Sequence, residues 1–517
     1  MLSASLPTNR VLLAAVGLLL ARTACSSRSL PDIPHIAAYF GTKTRYEEVN
    51  PQLLRDVSSV NASVLMAPDS ERCSPVHLTA VIRHGSRYPT AKNIRRIQRL
   101  SQLVRGEASR GPGSEDWLRD IQSRWEMWYT EDMDGQLVVK GRDELRQLAG
   151  RLAAMFPSLL SHEQLTKRRV RFTTSSKHRC VSSVEAVQDG LMEHWGHAPS
   201  AEDRYTHVVD DELMRFFERC RGYVEGVANN RSALEEVDKF RDGDEMEGVR
   251  RRTEERLNLH QHRLTPDLVE AAFFLCSYEL SIKSLNSPWC FLFDENDAKV
   301  LEYKSDLKQY WKRSHGHVIS GLSSCPLFHH IFRTLDRAGR PRRSSEASPE
   351  PASILLGHAE TLLPLLSLLG LYKDQTAPTA NNYQSQHGRS FRTSRIVPYA
   401  ANLLFVLYDC QRGPRVQLLI NESPVRFPGL ESEAAPLYRD VRATYRHLLD
   451  GCDFHRECEG RSGGRGPNTE LCPITAQLQH LLTHHVTEPR PAASSRDTTE
   501  GPRLTGDRPA RFIMSDQ

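Results

Sequence analysis

Three short apolar runs set the rhythm of this chain: residues 76–82, 170–174 and 354–357, each ending in a polar loop that leads into helical periodicity. Runs of this length, bounded by polar loops and rich in β-branched or aliphatic residues, read as buried strands. After the second run, Val184, Val187 and Leu191 fall on one face of a helix; after the third, residues 361–369 form an apolar helical stretch. Strand, loop and helix repeated in this way predict an α/β core. Its three polar loops then share one crevice at the carboxyl ends of a parallel-rich sheet.

Between the second and third runs, residues 200–315 are rich in charge and helix formers. Leu213, Phe216 and Phe217, then Leu268, Val269, Ala272 and Phe273, recur there at helical spacing. That periodicity predicts a mostly helical subdomain inserted into the α/β core, and its aromatics read as core rather than as ligand contacts. Residues 340–353, with Pro341, Pro349 and Pro351 among arginines and serines, read as a solvated loop. Residues 401–410 and 416–420, separated by Gly413-Pro414, read as a strand pair. There is no internal repeat.

Composition narrows the class. A chain of 517 residues with 39% hydrophobic and 26% charged content can bury a large core, which excludes a wholly disordered or fibrous protein. The 68 Lys+Arg nearly balance 64 Asp+Glu, so no global attraction to nucleic acid or membranes follows. Arg10, the apolar run 11–21 and the small or polar Thr23 to Ser26 predict a secretory signal peptide over residues 1–25, too short to span a bilayer. The expected domains are that peptide, a catalytic domain over 30–485 and a Pro-, Thr- and Arg-rich disordered tail over 486–517. Loss of Cys25 would leave ten of the 11 cysteines as disulfide material for an oxidising compartment. Their spacing is unlike that of zinc ligands, and Cys452 with Cys458 is the close pair expected to be bridged. Sequons at Asn61, Asn230 and Asn421 fit the same route, the third weakened by Pro424.

The chemistry lies in the loops. Arg83-His84-Gly85-Ser86-Arg87-Tyr88-Pro89 places a histidine between two arginines directly after the first strand. A neutral imidazole can attack phosphorus and carry the phosphoryl group covalently, while guanidinium forks hold the equatorial oxygens. Arg179, in the loop after the second strand, adds a third guanidinium. His358-Ala359-Glu360, after the third, offers another histidine and a carboxyl group for the leaving alkoxide. A helix N-terminus would lower the Glu360 pKa, whereas a bound polyanion and partial burial would raise it. Only the second case leaves a proton to donate.

Arg-His-Gly-x-Arg-x-Pro with a late His-acid pair resembles the histidine acid phosphatase family. Glu360, where common members carry aspartate, resembles the branch acting on inositol polyphosphates. So do the runs 213–217, 287–290, 297–303, 307–313 and 396–400. The resemblance implies a histidine-phosphatase-like α/β core with a helical insert and no metal or other cofactor. It makes His84 the phosphorylated nucleophile and Glu360 the proton donor, with Arg83, Arg87, Arg179 and His358 on the scissile phosphate. Lys140, Lys177 and His178 become contacts for other phosphates. The implied substrates are small polyanions, inositol hexakisphosphate among them, and 2,3-bisphosphoglycerate with loss of its 3-phosphate. Alternative readings are a broad-specificity secreted acid phosphatase and a non-catalytic polyanion-binding glycoprotein. No nucleic-acid partner or membrane span is expected, and oligomeric state is left open. The chain ends in Met514-Ser515-Asp516-Gln517 rather than a KDEL-like tetrapeptide, so lumenal retention in the endoplasmic reticulum and secretion are both open.

Overall fold

Among the described residues, seven strands make one sheet: β1 (Cys73–Arg83), β2 (Val170–Thr174), β3 (Val208–Val209), β4 (Ala352–Gly357), β5 (Asn402–Cys410), β6 (Arg415–Ile420) and β7 (Ser423–Val425). Their spatial order in the computed structural model is β3-β2-β4-β1-β5-β6-β7. The structure describes residues 33–65, 73–108, 115–197, 206–340 and 349–459. The expected signal peptide, Cys25, Cys472 and the tail lie outside those residues.

β4 runs parallel to both β1 and β2, with Arg83 opposite Gly357 and Thr174 opposite Leu356. The carboxyl ends of three strands distant in sequence therefore stand side by side, as the sequence pattern predicts. β5 and β6 are antiparallel neighbours on the other side of β1, the predicted strand pair. β4 begins two residues earlier than the proline-rich loop reading allowed: Ala352 and Ser353 are buried strand residues, because they pair with Leu78 and Thr79.

Six helices position the site: α1 (Ala91–Glu107), α2 (Val139–Met155), α3 (His178–His194), α4 (Pro266–Lys283), α5 (Glu295–Arg313) and α6 (Ala359–Leu368). One core joins Ala80 and Ile82 of β1, Ile354 and Leu356 of β4, and Leu404 of β5 to Leu145 and Leu148 of α2 and Val184, Val187 and Leu191 of α3. A second core gathers Ile94 and Ile97 of α1, Val269 and Phe273 of α4, Trp289, and Leu301 and Tyr303 of α5. Each such side chain contributes about 1.5–3 kcal/mol through burial, so both cores are substantial. Helices follow one another from Asp211 to Ala338, and α1, which precedes them in sequence, packs into the same helical core.

Among the described residues, four disulfides join Cys73–Cys410, Cys220–Cys458, Cys276–Cys290 and Cys325–Cys452. The expected Cys452–Cys458 bridge is thus corrected. Each of the two cysteines meets a thiol from a distant helical segment, which sequence proximity cannot reveal. Asn61 and Asn230 are exposed. Asn421 is buried, and its side-chain nitrogen donates to the carbonyls of Arg395 and Ile396, so a glycan expected there is incompatible with the fold.

Candidate active site

β1 delivers Arg83 and His84 to the sheet's carboxyl edge, β2 is followed by Arg179 on the first turn of α3, and β4 is followed by His358 and the start of α6. The two histidine rings meet edge to face with centroids 5.6 Å apart. All six residues singled out in sequence, His84, Glu360, Arg83, Arg87, Arg179 and His358, come together in this crevice.

His84 is held in one tautomer. Its Nδ1 lies 2.8 Å from the carbonyl of Gly85, which can only accept, so Nδ1 carries the proton and Nε2 keeps its lone pair. Burial first, then Arg179, Arg83, His358 and Arg87, push its pKa well below the ordinary histidine value. The imidazole is therefore neutral even in acid, as a nucleophile must be. Arg83 is anchored by two donated hydrogen bonds, 2.6 Å each, to the carbonyls of Thr42 and Val397, and its guanidinium lies 4.7 Å from the Tyr399 ring centroid. Arg87 donates to the carbonyl of Tyr88 at 2.7 Å.

His358 is lowered to about 3, by burial foremost and then by Arg179. Its Nδ1 accepts from Arg179 at 3.3 Å, which leaves Nε2 to donate to Ser175 Oγ at 2.9 Å. The Cys180 thiol, the free cysteine among the described residues, packs against the same ring and is pushed up to about 11 by burial. Thr361 Oγ1 accepts from the His358 amide at 3.0 Å and donates to the Met214 carbonyl, tying the loop to the helical layer.

Glu360 stands on the first turn of α6 and pairs with Arg313, the last residue of α5, at 3.1 Å. Burial works to raise this carboxyl, but Arg313 foremost, the backbone amide at the helix start and Arg83 together outweigh it. Glu360 is thus held well below the usual carboxylate range and is ionised in the ligand-free site. The sequence left this question open between two opposed effects, and the cations decide it.

Other residues fall outside the sequence expectation. Lys140 is paired with Glu47 at 3.0 Å. Lys177 and His178 are exposed. Lys43, Lys308 and Lys312, which the sequence reading did not name, join Arg313 in a second cationic tier. Lys43 is lowered by burial, with Arg87, Lys308 and Arg83 among the charges around it. Lys308 keeps its side chain exposed to solvent and is still lowered, by partial desolvation first, with Arg313, Lys304 and Lys92 nearby. Lys312 is lowered to about 8 by burial, then by Arg313 and Lys308. The spacing Lys304, Lys308, Lys312 along one face of α5 was the available signal, and Lys304 is committed to Glu270 at 2.7 Å. Phe217, read as core, packs against the apolar cluster of Cys220, Tyr223, Val227 and Cys458, and its ring also meets that of His358 edge-on with centroids 6.5 Å apart.

Comparison with known proteins places this geometry. Residues 76–421 match the histidine phosphatase superfamily (branch 2). The chain is 44% identical over 444 residues to multiple inositol polyphosphate phosphatase 1 of Homo sapiens, covering 83% of this chain and 90% of the relative. It is also 44% identical to the protein of the same name from Gallus gallus, covering 82% and 93%. Among solved structures, the phytase from D. castellii superposes with a TM-score of 0.66 at 16% identity, covering 83% of this chain and 88% of that one. A Bifidobacterium longum multiple inositol polyphosphate phosphatase in complex with inositol hexasulfate superposes with a TM-score of 0.60 at 15% identity, covering 75% and 93%. The histidine and arginines at the strand ends, the sheet that aligns them and the matched length agree: the chain belongs to branch 2 of the histidine phosphatase superfamily.

Proposed function

We propose that this protein is a phosphomonoesterase that hydrolyses inositol polyphosphates through a phosphorylated His84. The observation that carries the reading is a neutral imidazole, its Nε2 lone pair free, ringed by Arg83, Arg87 and Arg179 and backed by a second tier of lysines. The guanidinium Nε groups of Arg83, Arg87, Arg179 and Arg313 are buried and have no acceptor among the described residues, and phosphate oxygens are suitable acceptors. A single phosphate needs only the first tier; the second suits a substrate carrying several. The relatives named above act, by their names, on inositol polyphosphates.

In the first step, His84 Nε2 forms a bond to phosphorus as the ester P–O bond breaks, and the departing alkoxide takes a proton from Glu360. In the second, water gives a proton to Glu360 and its oxygen displaces His84, releasing phosphate. Glu360 must be protonated on entry to this cycle. A polyanion that draws Arg313 and the lysines to itself weakens their hold on the carboxylate and raises its pKa. At acid pH the substrate also arrives protonated, since the second phosphate pKa is about 6. The same site admits 2,3-bisphosphoglycerate with the 3-phosphate at His84, the smaller ligand leaving part of the lysine tier unused.

The test is to trap protein-bound phosphate during turnover of inositol hexakisphosphate. The expected adduct is acid-labile and base-stable, maps to the peptide carrying His84, and is absent from His84→Ala. Equal hydrolysis by His84→Ala and wild type would overturn the reading, and wild-type binding without turnover would mark an idle binder. Competition against p-nitrophenyl phosphate separates the polyphosphatase from a broad acid phosphatase, since only the former is blocked at low inositol hexakisphosphate.

A further inference from the structure

α2 lies directly beneath the nucleophile loop. A Cβ on Gly141 would collide with the Ser86 carbonyl and amide nitrogen, and one on Gly85 with the Gly141 carbonyl. Two glycines are therefore required where helix and loop touch. One turn further along α2, Glu144 turns inward among Leu145, Leu148 and Leu152. It is 5% exposed, although glutamate is among the residues least often buried. Both its oxygens are engaged by one residue: the Ser86 amide donates to Oε2 and the Ser86 hydroxyl to Oε1, each at 2.7 Å. Ser86 sits between His84-Gly85 and Arg87.

We propose that Glu144 is a positioning residue for the phosphoryl-transfer loop, its bidentate grip on Ser86 fixing the backbone from which His84 and Arg87 are aimed. The inference rests on the phosphohistidine reading above. Neither contact is local to the helix, and a buried carboxylate without these bonds would be strongly unfavourable. Their benefit falls on the loop. A nucleophile misplaced by about 1 Å can lose about 10²-fold in rate, so a grip two residues from His84 has leverage on catalysis.

The groups facing Glu144 explain how the grip tolerates acid. Behind it lies a cavity of about 210 Å³ lined by Arg45, Tyr46, Glu47, Lys140 and Arg151. Glu47 stays ionised in pairs with Lys140 at 3.0 Å and Arg45 at 3.5 Å, and Arg151 is committed to Glu422 at 2.9 Å. Burial and the Glu47 charge push Glu144 up to about 7, against the opposing pull of Lys140 and the Ser86 bonds. In its protonated form the carboxyl still accepts from the Ser86 amide and donates to the Ser86 hydroxyl. A glutamine can make the same two bonds.

The experiment compares Glu144→Ala, Glu144→Asp and Glu144→Gln with wild type, using inositol hexakisphosphate at pH 5 and thermal melts as folding controls. Glu144→Ala is expected to lower kcat about 30-fold or more with KM within threefold, because the loop's aim is lost while the distant lysines still bind. Glu144→Asp keeps the carboxyl group but falls one methylene short. It is expected to behave like Glu144→Ala, and it carries the test if the alanine variant does not fold. Glu144→Gln is expected to retain kcat within about threefold. A folded Glu144→Ala or Glu144→Asp with kcat within twofold of wild type overturns the proposal, as does a Glu144→Gln no better than Glu144→Ala. His84→Ala runs alongside: if it stays active the phosphohistidine reading has failed, whereas an inactive His84→Ala beside an unimpaired Glu144→Ala sinks only the present inference.

Discussion

Glu360 is where local electrostatics and catalytic need pull in opposite directions. Its pairing with Arg313 and its place at a helix start keep it ionised, yet the leaving alkoxide needs a proton. If Glu360 supplies that proton in the complex, Glu360→Gln should lose about 10²–10⁴-fold in kcat on inositol hexakisphosphate. The loss should shrink to a few-fold on p-nitrophenyl phosphate, whose leaving group departs without assistance. Equal losses on both substrates would move the carboxylate to a binding role. His84, Arg83 and Arg87 were legible because one heptapeptide, from the last residue of β1 into the following loop, carries all three. Lys43 and Glu144 were not: each lies on a segment with its own local logic, and only tertiary packing brings them to the loop.

At the level of elements, three β-rich runs sufficed to predict the crevice, because parallel pairing of β1, β2 and β4 forces the following loops to one edge. The polar tier contributed by α5 escaped detection. A row of lysines along a charged helix looks like a solvated face until Lys304 is seen buried against Glu270 at 2.7 Å, with Leu301 on the same stripe. The same helix ends in Arg313, so α5 brings both the lysine tier and the cation on Glu360. Replacing Lys308 and Lys312 together with Met should raise KM for inositol hexakisphosphate about tenfold or more while leaving p-nitrophenyl phosphate kinetics within twofold. The difference between wild type and double variant should narrow in high salt, as screening weakens exposed charges. An unchanged KM for the hexakisphosphate would remove α5 from substrate recognition.

For the whole molecule, a site suited to acid chemistry is set in a fold that acid weakens. His77 on β1 is fully buried, with Nδ1 2.7 Å from the Glu350 carbonyl and Nε2 2.8 Å from Thr79 Oγ1. Burial lowers it to about 4, partly offset by the Glu350 carbonyl, whereas the unfolded chain titrates near 6.5. Between those values the unfolded state binds the extra proton. The contribution of neutral His77 is therefore complete above pH 6.5 and is lost as pH falls towards 4, at about 1.4 kcal/mol per unit and about 3 kcal/mol in all. His315, also lowered to about 4 chiefly by burial, adds a slope over the same window. Melts between pH 7 and pH 4.5 should show a falling Tm. His77→Gln removes one titrating group, so it should be less stable than wild type at pH 7 and should lose less on acidification. If the variant and wild type fall in parallel, the acid sensitivity lies elsewhere, and His77 titrates in the folded protein as it does in the unfolded chain.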